Sequence, residues 1–144
     1  MLWLLATKQK CQNASRAWHA ESDVKSFYRN ILPHVNAELE AARQAMKAQK
    51  TDLAFSFLER AHVLGQESTI LHVRVHWEML VWGIHQRYPK EVMGQVLRTI
   101  GAATMTALGW VPHGNTGGAN VSPFRAMDIS DDLACLIAAA KQNR

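Results

Sequence analysis

Cysteine is scarce in this chain, and the scarcity limits what the protein can be. Its 144 residues contain two cysteines, Cys11 and Cys135, which lie far apart and form no CxxC pair. We therefore expect no disulfide between them and a reduced, cytoplasmic setting. Cys135 lies within the apolar run 133–137, which predicts a position in the core.

Long hydrophobic runs are also lacking. No segment approaches the ~20 apolar residues that a membrane-spanning helix needs, so we expect no membrane partner. The apolar opening, residues 1–6, is too short for the core of a signal peptide, and Lys8 and Lys10 follow it instead of preceding it.

Charge of one sign is not concentrated anywhere. Sixteen Lys and Arg against twelve Asp and Glu give +4, spread without a run, and this does not favour a nucleic-acid partner. Hydrophobic residues make up 48% and charged residues 19%, which is typical of a folded protein and excludes a disordered one. The length suits one domain with a single core.

Helical signals recur along the chain. Ser22 with Asp23 indicates a helix start, and Pro33 is expected to interrupt that helix. Residues 34–50 have strongly helical composition, and Thr51 with Asp52 caps a second helix that ends at Gly65.

Helical signals continue in the second half of the chain as far as residue 112. Ser68 opens a third helix, although the alternation of residues 72–77 also fits a strand; the pattern stops alternating through 78–82, which favours the helix. Pro89 suits the first turn of a fourth helix that runs to about Leu108, and Ser130 caps a short last one. The sequence predicts an all-α small helical bundle, with residues 1–19 as a lead-in and residues 20–144 as a single helical domain.

Three histidines and a glutamate form the leading candidate site. His72 and His76 are four residues apart and share one face of a helix, as do Glu59 and His62, which are three apart. A turn near residues 65–68 would bring all four side chains together. Neutral imidazole with one carboxylate suits zinc or copper, so the sequence predicts a zinc or copper ion as the cofactor. The alternative is structural: His62 and His72 hydrogen-bond ordinary partners, and His76 is exposed.

The second candidate is an ordered loop near the C-terminus, residues 114–122. Backbone N–H groups around its glycines can form an anion-binding nest. The residues in question are Gly114, Asn115, Thr116, Gly117, Gly118 and Asn120. The alternative is a compact loop in which Asn115, Asn120 and Ser122 replace missing backbone hydrogen bonds. Either way we expect the loop to pack against the helical body near His62 or His113.

Two resemblances add to these patterns. Residues 38–65 resemble one tetratricopeptide hairpin, with Ala42, Ala54 and Ala61 at the positions where its two helices touch. The segments ERAHVLGQ (59–66), HVRVHW (72–77), GQVLR (94–98) and GNTGGANVS (114–122) resemble a small bacterial family of uncharacterised proteins, a domain of unknown function. That resemblance implies a link to metal handling or resistance; residues 1–30 do not match the start expected for the family.

Three functions follow from these observations. The leading one is a transition-metal-binding protein with no catalytic residues. The second is a helical interaction module that holds a protein or peptide partner, with structural histidines; a homo-oligomer is compatible with either. The third is an enzyme, supported by nothing except an open position for a metal-bound water.

Overall fold

Five α-helices make up the fold. The computed structural model describes residues 2–106 and 108–142, and the side chains from residue 23 onward within those ranges. The helices are α1 (Leu2–Lys47), α2 (Thr51–Gly65), α3 (Thr69–His85), α4 (Pro89–Met105) and α5 (Asp131–Gln142). No strand occurs in the described ranges, so the all-α prediction is confirmed and the strand alternative for residues 72–77 is wrong.

The first helix is much longer than predicted. It begins at Leu2, so neither the start at Ser22 nor the interruption at Pro33 is correct. A proline has no N–H, so the carbonyl oxygen of the residue four positions earlier loses its helical hydrogen bond. Pro33 and Arg29 are both exposed, so the missing bond falls on the solvent side, where water can replace it. The predicted lead-in, residues 1–19, has side chains that lie outside the described part of the chain.

Short connections arrange the helices as antiparallel hairpins. Helix α1 packs along α2, and α3 packs along α4. The turns after α1 and α3 use left-handed residues, Gln49 (φ 58°) and Arg87 (φ 53°). Ala42, Ala54 and Ala61 are buried, as the tetratricopeptide-like hairpin predicted.

A single core joins α1, α2, α3 and α5. Its fully buried side chains include Ile31, Leu39, Leu64, Leu71 and Met79. Leu133 and Ile137 add the apolar face of α5, but Cys135 is exposed and free, so its predicted core position is wrong. Cys135 lies two residues from each of them, on the opposite side of the helix.

Helix α4 is held differently from the others. Among the helices of the described residues, it contacts α3 alone. Four apolar residues of this helix, which we call the α4 outer face, are exposed: Met93, Val96, Leu97 and Ile100. No helix within the described ranges is long and apolar enough to cross a membrane.

Candidate metal centre

The three predicted histidines meet in the structure. His62 lies in the last turn of α2, and His72 and His76 lie on successive turns of α3. All three are buried, with 2%, 5% and 2% of their surface exposed. The short turn at residues 66–68 reverses the chain, so that the single face carrying His72 and His76 looks towards His62. The interpretation of His76 as an exposed residue is therefore wrong.

The Nε2 atoms of the three rings form a small triangle. The His62–His72 distance is 2.8 Å, and His76 lies 3.1 Å from each of the other two. Tetrahedral zinc with bonds of about 2.0–2.1 Å places two ligand nitrogens about 3.3–3.4 Å apart. The three distances are therefore shorter than the edges of a zinc coordination tetrahedron by about 0.2–0.6 Å, so the rings would have to move apart by about that much around a zinc ion.

Each ring is oriented by an oxygen at its other nitrogen. His62 Nδ1 lies 2.8 Å from the backbone oxygen of Asn115, and His76 Nδ1 lies 2.6 Å from Gln95 Oε1. Both oxygens can only accept, so both rings carry their proton on Nδ1 and direct the lone pair of Nε2 into the triangle. His72 Nδ1 lies 2.5 Å from the Thr106 hydroxyl, which can accept or donate.

Burial keeps these imidazoles neutral. Desolvation, helped by the neighbouring imidazoles, lowers the pKa of His72 to about 3 and holds the pKa of His62 well below its usual 6.5. Desolvation also lowers the pKa of His76 to about 4, although the hydrogen bond to Gln95 opposes the shift. Neutral imidazole is the form that binds a metal ion.

Glu59 is not brought into the triangle. The cluster of converging ligand atoms contains the three histidines alone among the described residues. Glu59 is partly buried and lies against Gly118 of the loop. Desolvation raises the pKa of its carboxyl, the Thr116 hydroxyl lowers it, and the charge of Glu91 raises it further. The structure therefore supplies three nitrogen ligands and leaves the carboxylate to one side.

The loop at residues 114–122 packs on His62, as predicted. Gly117 has φ +82° and approaches so closely that a Cβ there would lie 2.6 Å from His62 Cδ2. Asn115 holds the loop in shape: its amide donates to the backbone oxygens of Ser122 and Arg125, and its Oδ1 accepts from the Gly117 N–H. The predicted use of Asn115 to replace backbone hydrogen bonds is thus observed.

Buried Glu91 accepts a backbone N–H of the loop, that of Ala119, which was not among the residues of the predicted anion nest. Its carboxylate accepts from the Ala119 N–H at 3.0 Å and from the Gln95 amide at 2.6 Å. The Gln95 amide nitrogen also donates to the Gly117 oxygen, which fixes the orientation of that amide. The anion nearest the loop is therefore a side chain of the same protein. Of the other nest candidates, Gly114 is buried with φ +71°, and Asn120 is exposed.

A cavity of about 210 Å³ opens from the histidine triangle. We call it the histidine cavity. Its walls are mainly apolar and come from α4 and the segment after it: Leu97, Gly101, Ala102, Met105, Trp110, Val111, Pro112, Pro123 and Phe124. Arg98 is the one charged side chain among the lining residues. The free side of the nitrogen triangle thus faces a space that a small molecule could enter.

The sequence patterns missed Gln95, Arg98 and Thr106 as members of this site. Gln95 and Arg98 lie in the GQVLR segment, three residues apart and therefore on one face of α4. That spacing of two polar residues in an otherwise apolar stretch is the signal that could have found them. Thr106 follows the end of α4, and no pattern indicates its contact with His72.

A family model described as a protein of unknown function (DUF3703) matches residues 29–137, which include every residue of the site. No curated protein and no solved structure matches the chain.

Proposed function

The chain belongs to the DUF3703 family of proteins of unknown function, and we propose that it binds one transition-metal ion, zinc or copper, through the Nε2 atoms of His62, His72 and His76. We assign the role to metal handling in the cytoplasm, as sensing, buffering or resistance. The coordination is three nitrogens with the fourth position open to the histidine cavity. Glu59 has no direct bond to the ion in this proposal.

The convergence of the three Nε2 atoms is the observation that carries the proposal. The hydrogen bonds to Asn115 and Gln95 leave lone pairs on His62 and His76 that point at one another across 3.1 Å. Two lone pairs facing each other in a buried site repel unless a cation lies between them. If the Thr106 hydroxyl accepts the His72 proton, a third lone pair joins them, and the ligand set is complete.

In the structural alternative, the same nitrogen atoms form a histidine–histidine hydrogen bond and bind no metal ion. If the Thr106 hydroxyl donates to His72 Nδ1, the ring carries its proton on Nε2, which then donates to His62 across 2.8 Å. A histidine hydrogen bond of this kind needs no metal. The two possibilities differ in whether metal binds, and a binding measurement separates them.

Zinc titration of protein purified without a histidine tag tests the proposal. Competition with a chromophoric chelator should give one zinc per chain in the wild type. Removing a ligand costs more than the roughly 10–100-fold loss typical of an outer-shell partner, so His62→Ala and His76→Ala should each weaken zinc binding by at least about 100-fold.

His85→Ala is the matched control, because His85 is an exposed histidine on the same helix as His72 and His76. It should bind zinc as the wild type does. Wild-type protein without a stoichiometric site, or His76→Ala with unchanged affinity, would contradict the proposal.

A second candidate function, association with another protein, is supported by the α4 outer face. The sequence alternative assigned an interaction to the hairpin at residues 38–65, whereas the candidate surface here is the α4 outer face. Met93, Leu97 and Ile100 each have more than 60% of their surface exposed. The face carries no charge to match a charged partner, so a second copy of this chain, presenting the same face, is the occupant we propose.

Sedimentation velocity tests this association. The wild type should sediment as a dimer at micromolar concentration, and Ile100→Lys should shift it to a monomer. Val24→Lys is the control, because Val24 is equally apolar and exposed but lies on α1. A wild type that stays monomeric well above micromolar concentration would rule out this function.

A further inference from the structure

Arg98 stands out because it forms no ion pair with a carboxylate of the described residues. It lies on α4 beside the histidine triangle and is partly buried in an otherwise apolar wall. A guanidinium offers five N–H donors. In the described part of the chain, Arg98 makes one hydrogen bond, to the backbone oxygen of Val121, and no ion pair with a carboxylate.

That lack of a partner is unusual for a desolvated cation. Burial lowers the pKa of Arg98, and the charge of Glu91 offsets this only in part. Buried charges are normally paired, because removing an ion from water costs several kcal/mol. By contrast, the more exposed Arg60 contacts two carboxylates, Glu38 and Asp132. Arg98 is therefore arranged like a residue whose anionic partner comes from outside the chain.

We infer that the histidine cavity binds a small organic monocarboxylate, with one carboxylate oxygen at the open metal position and the other on Arg98. The inference rests on the proposed metal site, which supplies the first of these contacts. The three histidines and Arg98 line the same cavity, and the charge of Arg98 lowers the pKa of all three rings. With an ion bound at the triangle, a carboxylate in the cavity would have two positive partners.

The rest of the cavity indicates what the carboxylate is attached to. Leu97, Met105 and Trp110 line it, and such side chains bind an apolar substituent better than a second charged group. A buried cavity of about 150 Å³ is known to hold benzene. The histidine cavity, at about 210 Å³, has room for a carboxylate with a ring-sized apolar substituent. Phosphate and other multiply charged anions would leave the apolar walls uncovered.

Cobalt(II) provides a visible probe for this inference, since its absorption changes when a ligand enters the open position. Benzoate titrated into cobalt-loaded protein should change the spectrum saturably, and acetate should require a higher concentration. Inorganic phosphate should bind more weakly than benzoate.

Arg98→Gln should weaken benzoate binding by about 10–100-fold, the range expected for a lost hydrogen bond to a charged group, while cobalt affinity stays within about threefold. Arg125→Gln is the matched control, because Arg125 is exposed and lies outside the histidine cavity. It removes the same charge and should leave benzoate binding unchanged.

Gly101→Leu is a second variant that leaves every polar contact intact. Gly101 lines the cavity, and a Cβ there would meet nothing within 4 Å, so the added side chain has space. It should weaken benzoate binding much more than acetate binding.

The outcomes separate this inference from the metal proposal. Failure to bind cobalt overturns both. Cobalt binding without a benzoate response, an unchanged benzoate affinity in Arg98→Gln, or tighter binding of phosphate than of benzoate overturns the carboxylate inference alone.

Discussion

Gln95 shows how much of the site depends on a residue that is not a ligand. It is fully buried and uses both ends of its amide. The oxygen accepts from His76, and the nitrogen donates to Glu91 and to the Gly117 oxygen. One side chain thereby sets the His76 tautomer and ties α4 to the loop. Outer-shell residues of this kind commonly affect metal affinity by 10–100-fold.

Gln95→Leu should therefore weaken zinc binding by about 10–100-fold, measured by chelator competition. Leucine fills the space but leaves His76 without its acceptor. Gln66→Leu is the control, because Gln66 is also a buried glutamine, and its Oε1 has no hydrogen-bond partner among the described residues. Gln66→Leu should keep full zinc affinity and cost no stability. Equal zinc affinity in the two variants would show that Gln95 does not position His76.

The neutral histidines predict how stability depends on pH in metal-free protein. The pKa of His72 is about 3 and that of His76 about 4 in the folded state, against about 6.5 when unfolded. Below pH 6.5 the unfolded chain binds protons that the folded chain does not. The free energy of unfolding should thus be constant above about pH 7 and fall as pH decreases, by up to about 1.4 kcal/mol per pH unit for each histidine.

Denaturant unfolding with EDTA at pH 7, 6 and 5 measures this slope. Burial raises the pKa of the Glu59 carboxyl, so this group alone would make the free energy of unfolding increase as pH falls. One carboxyl opposes three histidines, so we expect the net effect to be a loss of stability at low pH. His76→Gln should reduce the slope and His85→Ala should not. Stability that stays constant from pH 7 to pH 5 would be inconsistent with buried neutral imidazoles.

At the scale of elements, the loop at residues 114–122 completes the site that two helices begin. Its contact with His62 depends on Gly117, where φ is +82° and no Cβ fits. Gly109 has a similar φ, +71°, but a Cβ there would meet nothing within 4 Å. Alanine substitutions at these two glycines can therefore be compared: Gly109→Ala measures the free-energy cost of a left-handed alanine, and Gly117→Ala adds the steric clash with His62.

Gly109→Ala should cost about 1–2 kcal/mol of unfolding free energy, the usual penalty for a left-handed non-glycine residue. Gly117→Ala should cost more than this and should also weaken zinc binding by at least about tenfold, because His62 must move. Thermal unfolding and chelator competition on both variants provide the comparison. Similar zinc affinity in both would show that the loop does not determine the position of His62.

The elements and the histidine triangle were largely predictable from the sequence, for a local reason. Helical spacing and the signals at the helix ends predicted α2 to α5, although the N-cap residues of α2, α3 and α4 make no side-chain cap hydrogen bond. The short turn at residues 66–68 then brings His62 towards His72 and His76. Pro33 misled the prediction because a helix can continue through a proline when the affected carbonyl, here that of Arg29, lies on the solvent side. Glu59, Gln95 and Arg98 depend on how α4 and the loop pack on this hairpin, which is a long-range arrangement that local patterns do not encode.

In the molecule as a whole, the site links helix α4 and the loop at residues 114–122 to helices α2 and α3. Its ligands come from α2 and α3, and their hydrogen-bond partners come from α4, Thr106 and the loop. Helix α4 contacts α3 alone among the described helices. A metal ion at the triangle would therefore stabilise the half of the protein that the hydrophobic core reaches least.

Saturating zinc should raise the free energy of unfolding by about 4 kcal/mol at a thousand times the dissociation constant. For a chain of this size, this is roughly 10–15 °C in Tm. Differential scanning calorimetry with zinc and with EDTA measures the difference, which His85→Ala should retain and His76→Ala should largely lose. A wild-type Tm that is the same under both conditions would contradict a folded-state metal site.

The neutrality of the three rings has a consequence for calorimetry. Histidine sites usually exchange protons for metal near neutral pH, because solvent protons and the metal compete for the same nitrogen. Here burial has already made the three rings neutral. If the His72 proton is on Nε2, metal binding moves it to the other ring nitrogen and releases no proton to solvent. Zinc binding at pH 7 should then have the same enthalpy in buffers of very different ionisation enthalpy, apart from any proton lost by a metal-bound water. The chain would hold its metal in mildly acidic surroundings, where an exposed histidine cluster would release it.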